Sequence, residues 1–260
     1  MTGRPLICAA ASATLLLSPA LVTAAAADDT GDPSARRLAR EARDHLLHTQ
    51  SLHMAWTDRT AAAKKGEPAS MDLSLDRDGN CVGTVRMGAH GGSITIVKHG
   101  DEVWLKGDST YWKTELPGSE GTAAAELLKD RYIHGSTHDR ALKEWEDVCD
   151  LDAFQRKLTP DSQHRKPLTR GDRTTVEGIP VIPLTGEESG RRVTLYVTAD
   201  SPHVLVEGTS KGDGTDLTMT FSDYGEPVPS ATPSTKESVD VSQLSPLTKV
   251  WFQKRLVVTG

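Results

Sequence analysis

The amino-terminal segment constrains this chain most, because it has the form of an export signal and leaves only two cysteines behind. Arg4 supplies a positive charge, residues 7–22 form an apolar run, and the alanines at 25–27 offer a small-residue cleavage site. We therefore predict that residues 1–27 are a cleaved signal peptide. The remainder is expected to fold outside the cytoplasm, in a compartment where disulfides persist.

The alternative for this leader is retention as a membrane anchor. A membrane-spanning helix needs about 20 apolar residues, and residues 7–27 are mostly Ala, Ser and Thr with Pro19 among them. A lipoprotein signal carries its modified cysteine after the apolar run, whereas Cys8 lies before it. We expect a secreted protein without a lipid anchor, and only a start codon further upstream would reopen lipidation at Cys8.

Cys81 and Cys149 are the two cysteines that remain after cleavage. An even pair in an exported chain predicts a disulfide. The alternative is a zinc site, but neither cysteine has the neighbouring Cys or His that zinc requires. Closing so long a loop stabilises the fold by about 3–5 kcal/mol in the chain-entropy model. No metal and no cofactor are expected.

The charge balance bears on the choice of partner. The full chain has a formal net charge of −6, and loss of Arg4 with the leader makes it more negative. An acidic excess argues against nucleic acid as a partner. The hydrophobic fraction of 37% is low but sufficient for a core.

Hydrophobic periodicity divides the exported part into alternating helical and extended segments. Residues 28–34 are polar and are predicted to be a disordered lead-in. Apolar residues then recur at helical spacing over 35–47, with Ser34 as the expected N-cap. Alternating strands follow over 51–111, helical patterns over 123–128 and 138–158, and strands again over 173–221. Residues 230–260 are predicted to be a proline-containing linker and C-terminal tail.

This order predicts an α+β fold, namely one curved antiparallel β-sheet, a half-barrel, with helices packed on its concave face. The tight turn at Asp78-Gly79 would place Cys81 at the start of the returning strand. Periodicity identifies which face of each strand is buried. It does not distinguish a filled core from a hollow one, so both alternatives remain open at this point.

Several local patterns resemble one group of exported proteins. They are residues 76–83 (DRDGNCVG), residues 103–106 (VWLK), residues 194–197 (TLYV) and residues 221–227 (FSDYGEP). Together they are similar to the LppX/LprG-type exported lipoproteins of actinobacteria, within the LolA-like superfamily. The resemblance covers residues 35–233, and the predicted LolA-like half-barrel domain occupies residues 35–229.

The resemblance implies a non-enzymatic protein that holds a lipid, an acyl chain or a lipidated partner in an apolar half-barrel cavity and makes transient membrane contact. The alternation then gives the apolar side chains that would line such a cavity: Leu73, Leu75, Val85, Met87, Ile94, Ile96, Val103, Leu105, Leu195, Val197, Leu217, Met219 and Phe221. The alternative is that the same residues pack against the helices and leave no usable cavity.

Two other functions compete with lipid binding. A protein of the same fold could be an extracytoplasmic sensor or regulatory module that binds another protein. A hydrolase would require a nucleophile, and residues 208–212 match G-x-S-x-G around Ser210. A nucleophile elbow, however, needs a strand followed by a helix, whereas strand patterns lie on both sides of Ser210. We therefore predict no enzymatic activity and no catalytic residue. The oligomeric state is not predicted.

Overall fold

The computed structural model describes residues 32–116, 118–139, 142–158 and 167–244. The predicted signal peptide, most of the lead-in and residues 245–260 of the predicted tail lie outside these residues. Within them the helices are α1 Pro33–His48, α2 Ser109–Glu115, α3 Gly118–Leu127, α4 Glu144–Val148 and α5 Leu151–Lys157, with short 3-10 helices at Ala61–Ala63 and Val241–Leu244. The strands are β1 Ser51–Asp58, β2 Pro68–Asp76, β3 Cys81–Met87, β4 Ser93–His99, β5 Glu102–Gly107, β6 Tyr132–Ser136, β7 Thr169–Arg170, β8 Thr174–Val176, β9 Ile179–Glu188, β10 Arg191–Thr198, β11 Leu205–Gly212, β12 Thr215–Ser222 and β13 Ser238–Asp240.

These strands form one sheet in the order β13-β6-β5-β4-β3-β2-β1-β12-β11-β10-β9-β7, with β8 also paired to β9. Every pairing is antiparallel except that of β13 with β6. Two meanders, β2 to β6 and β9 to β12, are joined where β1 pairs with β12. The large, curved, mostly antiparallel sheet with helices confirms the predicted α+β half-barrel.

Helix α1 lies across the second meander and contacts β7, β10 and β11. Its buried stripe is Ala35, Leu38, Ala42 and Leu46. The predicted N-cap, Ser34, is wrong, because Ser34 belongs to the first turn of the helix. Asp32 is the cap, and its carboxylate accepts a hydrogen bond from the Ser34 main-chain nitrogen at 2.8 Å.

The first meander is covered by α2 and the following helices. Leu73, Ile94, Val103 and Leu105 have no exposed surface, and they belong to one cluster that also includes Tyr111 of α2 and residues of the later helices. Such full burial of Leu and Ile side chains is worth about 1.5–3 kcal/mol each relative to exposure. This half of the sheet is therefore a packed core.

The helical block was predicted with errors in its boundaries. Tyr111 was placed at the end of a strand region but lies in α2, and the continuous helical pattern over 138–158 is interrupted. Asp150 breaks it, because its side chain caps α5 by accepting a hydrogen bond from the Ala153 nitrogen at 2.8 Å. Strand β6 lies between α3 and α4, and the sequence patterns do not predict it.

The disulfide between Cys81 and Cys149 is present, with the two Cα atoms 5.6 Å apart. Cys81 begins β3, and Cys149 lies between α4 and α5. The bond therefore joins the hairpin end of the sheet to the helices over it, as predicted.

The proposed boundary after residue 229 stays a prediction. Strand β13, within the stretch predicted as linker, pairs in parallel with β6, and Val239 opposes Ile133. Val239, Val241 and Leu244 are buried in the main cluster. Among the described helices, none is long and apolar enough to span a membrane.

Candidate functional site

One row of side chains crosses the concave face from strand to strand. Its central members follow from the strand registers: Leu195 opposes Gly208, Gly208 opposes Met219, Met219 opposes Trp56, and Trp56 opposes Met71. All five residues are only partly buried. With neighbouring strands about 4.8 Å apart, this open row, defined as Leu195, Gly208, Met219, Trp56 and Met71, extends for about 19 Å.

Both ends of the row are sealed. Beyond Leu195 the next residue is Leu184, which is fully buried and packs in a cluster with residues of α1. Beyond Met71 the next residues are Val85 and Ile94, buried at 2% and 0% exposure. The open row is therefore an apolar strip bounded by covered sheet on each side.

Two glycines show how the cover differs along the row. A Cβ atom added at Gly107, at the covered end, would lie 2.5 Å from the Tyr111 ring and 2.9 Å from that of Trp112. Among the described residues, a Cβ atom added at Gly208 would meet only a Leu195 methyl, at 3.7 Å. The described part of the chain therefore leaves space above the middle of the sheet and none beneath α2.

The open row continues toward the far end of the strands. Ser210 opposes Val193 and Leu217, and all three are partly buried. Ser210 lies inside β11, which turns into β12 with no intervening helix. Its G-x-S-x-G sequence is therefore not a strand-to-helix nucleophile elbow.

Two of the four methionines among the described residues, Met71 and Met219, belong to this strip. Met71, Met87 and Met219 are partly buried against the main cluster, whereas Met54 is 6% exposed and belongs to it. Methionine is flexible and polarisable and adapts to irregular apolar shapes. A surface with these residues can fit differing hydrocarbon outlines.

The thirteen candidate cavity residues fall into two groups. Those that are buried and lie in the closed clusters are Leu73, Leu75, Val85, Ile94, Ile96, Val103, Leu105, Val197 and Phe221. Those that stay partly exposed are Met87, Leu195, Leu217 and Met219. Trp56, Met71 and Gly208 were not among the candidates; Trp56 continues the alternation of Leu52 and Met54 and could have been found by it.

The helices close the end of the half-barrel that carries the disulfide. Arg77, in the β2–β3 turn, donates from Nη2 to the Leu47 carbonyl oxygen at 2.8 Å and to Gln155 Oε1 at 2.6 Å. Phe154 stacks near Phe221, with ring centroids 6.1 Å apart. The end of α1, the start of β3 and α5 are therefore tied together, and the open row lies away from this junction.

A cleft of about 650 Å³ lies beside α1. Glu41, His45, His48, His203 and Tyr224 are among its lining residues. Carboxylates and histidines contribute to its lining, whereas the open row consists of apolar side chains and one glycine. The Tyr224 hydroxyl donates to the Leu205 carbonyl oxygen at 2.7 Å, and burial raises the pKa of this phenol, so Tyr224 stays neutral.

No group of three or more His, Cys, Asp or Glu side chains within the described ranges is arranged to hold a metal ion. The His45 and His48 pair shares the cleft described above.

The geometry defines a half-barrel with a partly open apolar face, and comparisons with known proteins agree on this fold. No family model and no curated protein matches the sequence. The structure is similar to LprF from Mycobacterium bovis, with a TM-score of 0.51 and 14% identity over 78% of this chain and 99% of LprF. This similarity confirms the predicted resemblance at the level of the fold.

Two further solved structures are similar over most of their lengths. The Mycobacterium tuberculosis lipoprotein LppX has a TM-score of 0.48 and 16% identity, over 77% of this chain and 100% of LppX. A LolA superfamily protein from Nitrosomonas europaea has a TM-score of 0.27 and 12% identity, over 75% of this chain and 94% of its own.

Proposed function

We propose that this protein is a secreted, non-enzymatic carrier that binds the acyl chain of a lipid, or of a lipidated partner, along the open row. The observation that carries the proposal is the space that the described residues leave above Gly208, between Leu195 and Met219, in a row whose two ends are sealed. Covering the accessible part of this apolar strip with hydrocarbon is favourable by about 25 cal/mol per Å² removed from water.

The contrast between the two halves of the sheet supports this reading. A protein that needed only a core would cover both halves equally, but Met71 is partly exposed while its neighbour Val85 is sealed. Ligand sites are concave, mostly apolar and largely preformed. The open row has these properties.

Export and release are part of the same proposal. Cleavage of residues 1–27 and the domain limits of 35–229 stay predictions from the sequence patterns described above. A released carrier would collect its ligand by transient contact with a membrane and shield it in water.

The first test is chemical. The protein is purified without detergent, extracted with organic solvent and examined by mass spectrometry, and the extracted protein is then titrated with a fluorescent fatty-acid probe. We expect co-purifying acyl material and saturable probe binding. Absence of both would refute the proposal and would direct the search to a protein partner by crosslinking.

The second test uses a pair of variants on one strand. Gly208→Leu fills the space above the open row, and Thr209→Leu adds the same side chain to the neighbouring position on the opposite face of β11. We expect Gly208→Leu to weaken probe binding by about tenfold or more while Thr209→Leu binds as the unmodified protein does. Equal binding by both variants would place the ligand elsewhere.

A further inference from the structure

One flank of α1 borders the open row. Ala39 lies on this flank and packs against the cluster to which Leu195 also contributes. Arg43 follows Ala39 by four residues and therefore lies one turn further along the same flank. The opposite flank carries Glu41, His45 and His48, which line the cleft of about 650 Å³ described above.

The Arg43 side chain is unlike the other arginines of α1. Arg37 is exposed and lies 3.8 Å from Glu41 Oε1 in an ion pair, and Arg40 is also exposed. Arg43 is partly buried, and its Nε is shielded from water without a hydrogen-bond partner. Among the described residues, no carboxylate forms an ion pair with Arg43.

A buried N–H donor without a partner costs free energy, and a bound water, ion or ligand group is one way in which such a donor is satisfied. Guanidinium is planar, always charged and suited to paired hydrogen bonds with a carboxylate or a phosphate. Arg43 lies on the same flank of α1 as Ala39, which packs against one apolar cluster together with Leu195, the end of the open row. A hydrocarbon surface with a cation at its border matches an amphiphile that has an anionic head.

We propose that Arg43 binds the anionic head group, carboxylate or phosphate, of an amphiphile whose acyl chain lies along the open row. This proposal rests on the proposed function and adds the charge of the ligand to it. It also assigns the specificity for that charge to one residue of α1.

The test compares three ligands with the same hydrocarbon chain, namely oleate, oleoyl lysophosphatidate and oleyl alcohol, as competitors of a fluorescent fatty-acid probe on the delipidated full chain. We expect at least one anionic ligand to bind about tenfold or more tightly than the alcohol. Preference for oleate identifies a carboxylate head, and preference for lysophosphatidate identifies a phosphate head. The preference should decrease as salt is raised, because screening weakens charge pairing.

Three variants assign the preference to Arg43. Arg43→Gln should lose the tenfold difference and keep its affinity for the alcohol, Arg43→Lys should retain part of the difference, and Arg40→Gln should behave as the unmodified protein. Circular dichroism confirms that each variant is folded; if Arg43→Gln is not, the comparison of Arg43→Lys with Arg40→Lys decides.

The outcomes separate this inference from the proposed function. Equal binding of all three ligands, or an anionic preference that survives in Arg43→Gln, overturns the inference and leaves acyl binding intact. Binding of none of the ligands overturns both.

Discussion

The side-chain nitrogen of Gln155 lies 2.9 Å from the main-chain oxygen of Leu46, a contact that joins α5 to the last turn of α1. The same nitrogen is 3.2 Å from the Thr49 oxygen, and Gln155 is only 4% exposed. The carbonyl groups at the end of a helix have no partner within that helix. Gln155 supplies partners from another element and thereby fixes the angle between the two helices.

We expect Gln155→Ala to lower the free energy of unfolding by about 1–3 kcal/mol, since it leaves the Leu46 carbonyl oxygen without this donor, whereas the Thr49 oxygen keeps a hydrogen bond from Arg77 Nε at 3.2 Å. Gln50→Ala is the matched control, because exposed Gln50 makes one hydrogen bond, to the His48 oxygen at 3.3 Å. Urea denaturation measures both. Equal stabilities of the two variants would contradict the role given to Gln155.

Removal of the disulfide should lower stability without opening the core of the first meander. The bond closes a sequence separation of 68 residues, for which the chain-entropy model gives about 4 kcal/mol. The double variant Cys81→Ala, Cys149→Ala should show this loss in chemical denaturation. Reduction of the unmodified protein should reproduce it, and a loss below about 1 kcal/mol would show that the bond is dispensable.

Leu105 and Leu217 allow the packed region to be compared with the open row. Leu105→Ala should destabilise the fold by about 2–5 kcal/mol, because Leu105 is completely buried and its truncation leaves a cavity. Leu217→Ala removes a partly exposed side chain beside the open row and should cost less than about 1 kcal/mol.

Probe binding should show the opposite order. Leu217→Ala is expected to weaken it, whereas Leu105→Ala, under conditions in which it is folded, should bind normally. The paired measurement of denaturation and probe affinity checks both expectations. A binding defect only in Leu105→Ala would contradict the placement of the site.

Glu207, on the outer face of β11, gives a pH dependence with a defined sign. Burial, and after it the nearby charge of Glu177, raises the pKa of the Glu207 carboxyl group. The folded state therefore holds this proton more tightly than the unfolded state does. Its contribution to stability is complete below the unfolded pKa and is lost as pH rises through the raised value.

We expect Glu207→Gln to be more stable than the unmodified protein at neutral pH, with the difference shrinking as the pH is lowered toward about 4. Glu226→Gln, at an exposed position, is the control. Denaturation measured across this range tests the expectation. A difference that is independent of pH would contradict it.

The fold could be predicted largely from alternation and turns, because period-two patterns and glycine turns are local properties of the sequence. The open row could not. Met71 and Val85 are direct neighbours on one face and both are apolar, yet only Val85 is sealed. Which of them is covered depends on where α2 packs, and that is a long-range property.

The boundaries of short elements could not be predicted from the sequence patterns either. Strand β13 has three residues, too few to show a period, and its partner β6 is remote in sequence. The break at Asp150 did carry a local signal, since aspartate is a strong N-cap. The helical spacing on both sides of it obscured that signal.

The methionines of the open face also have a chemical consequence. Peroxide converts an accessible thioether to a polar sulfoxide. Met71 and Met219 belong to the open row and are partly exposed, whereas Met54 lies in the sealed cluster. A chain bound along the open row would protect Met71 and Met219 together. Their oxidation relative to that of Met54 therefore records, as a mass change in the unlabelled protein, the fraction of molecules that carry cargo.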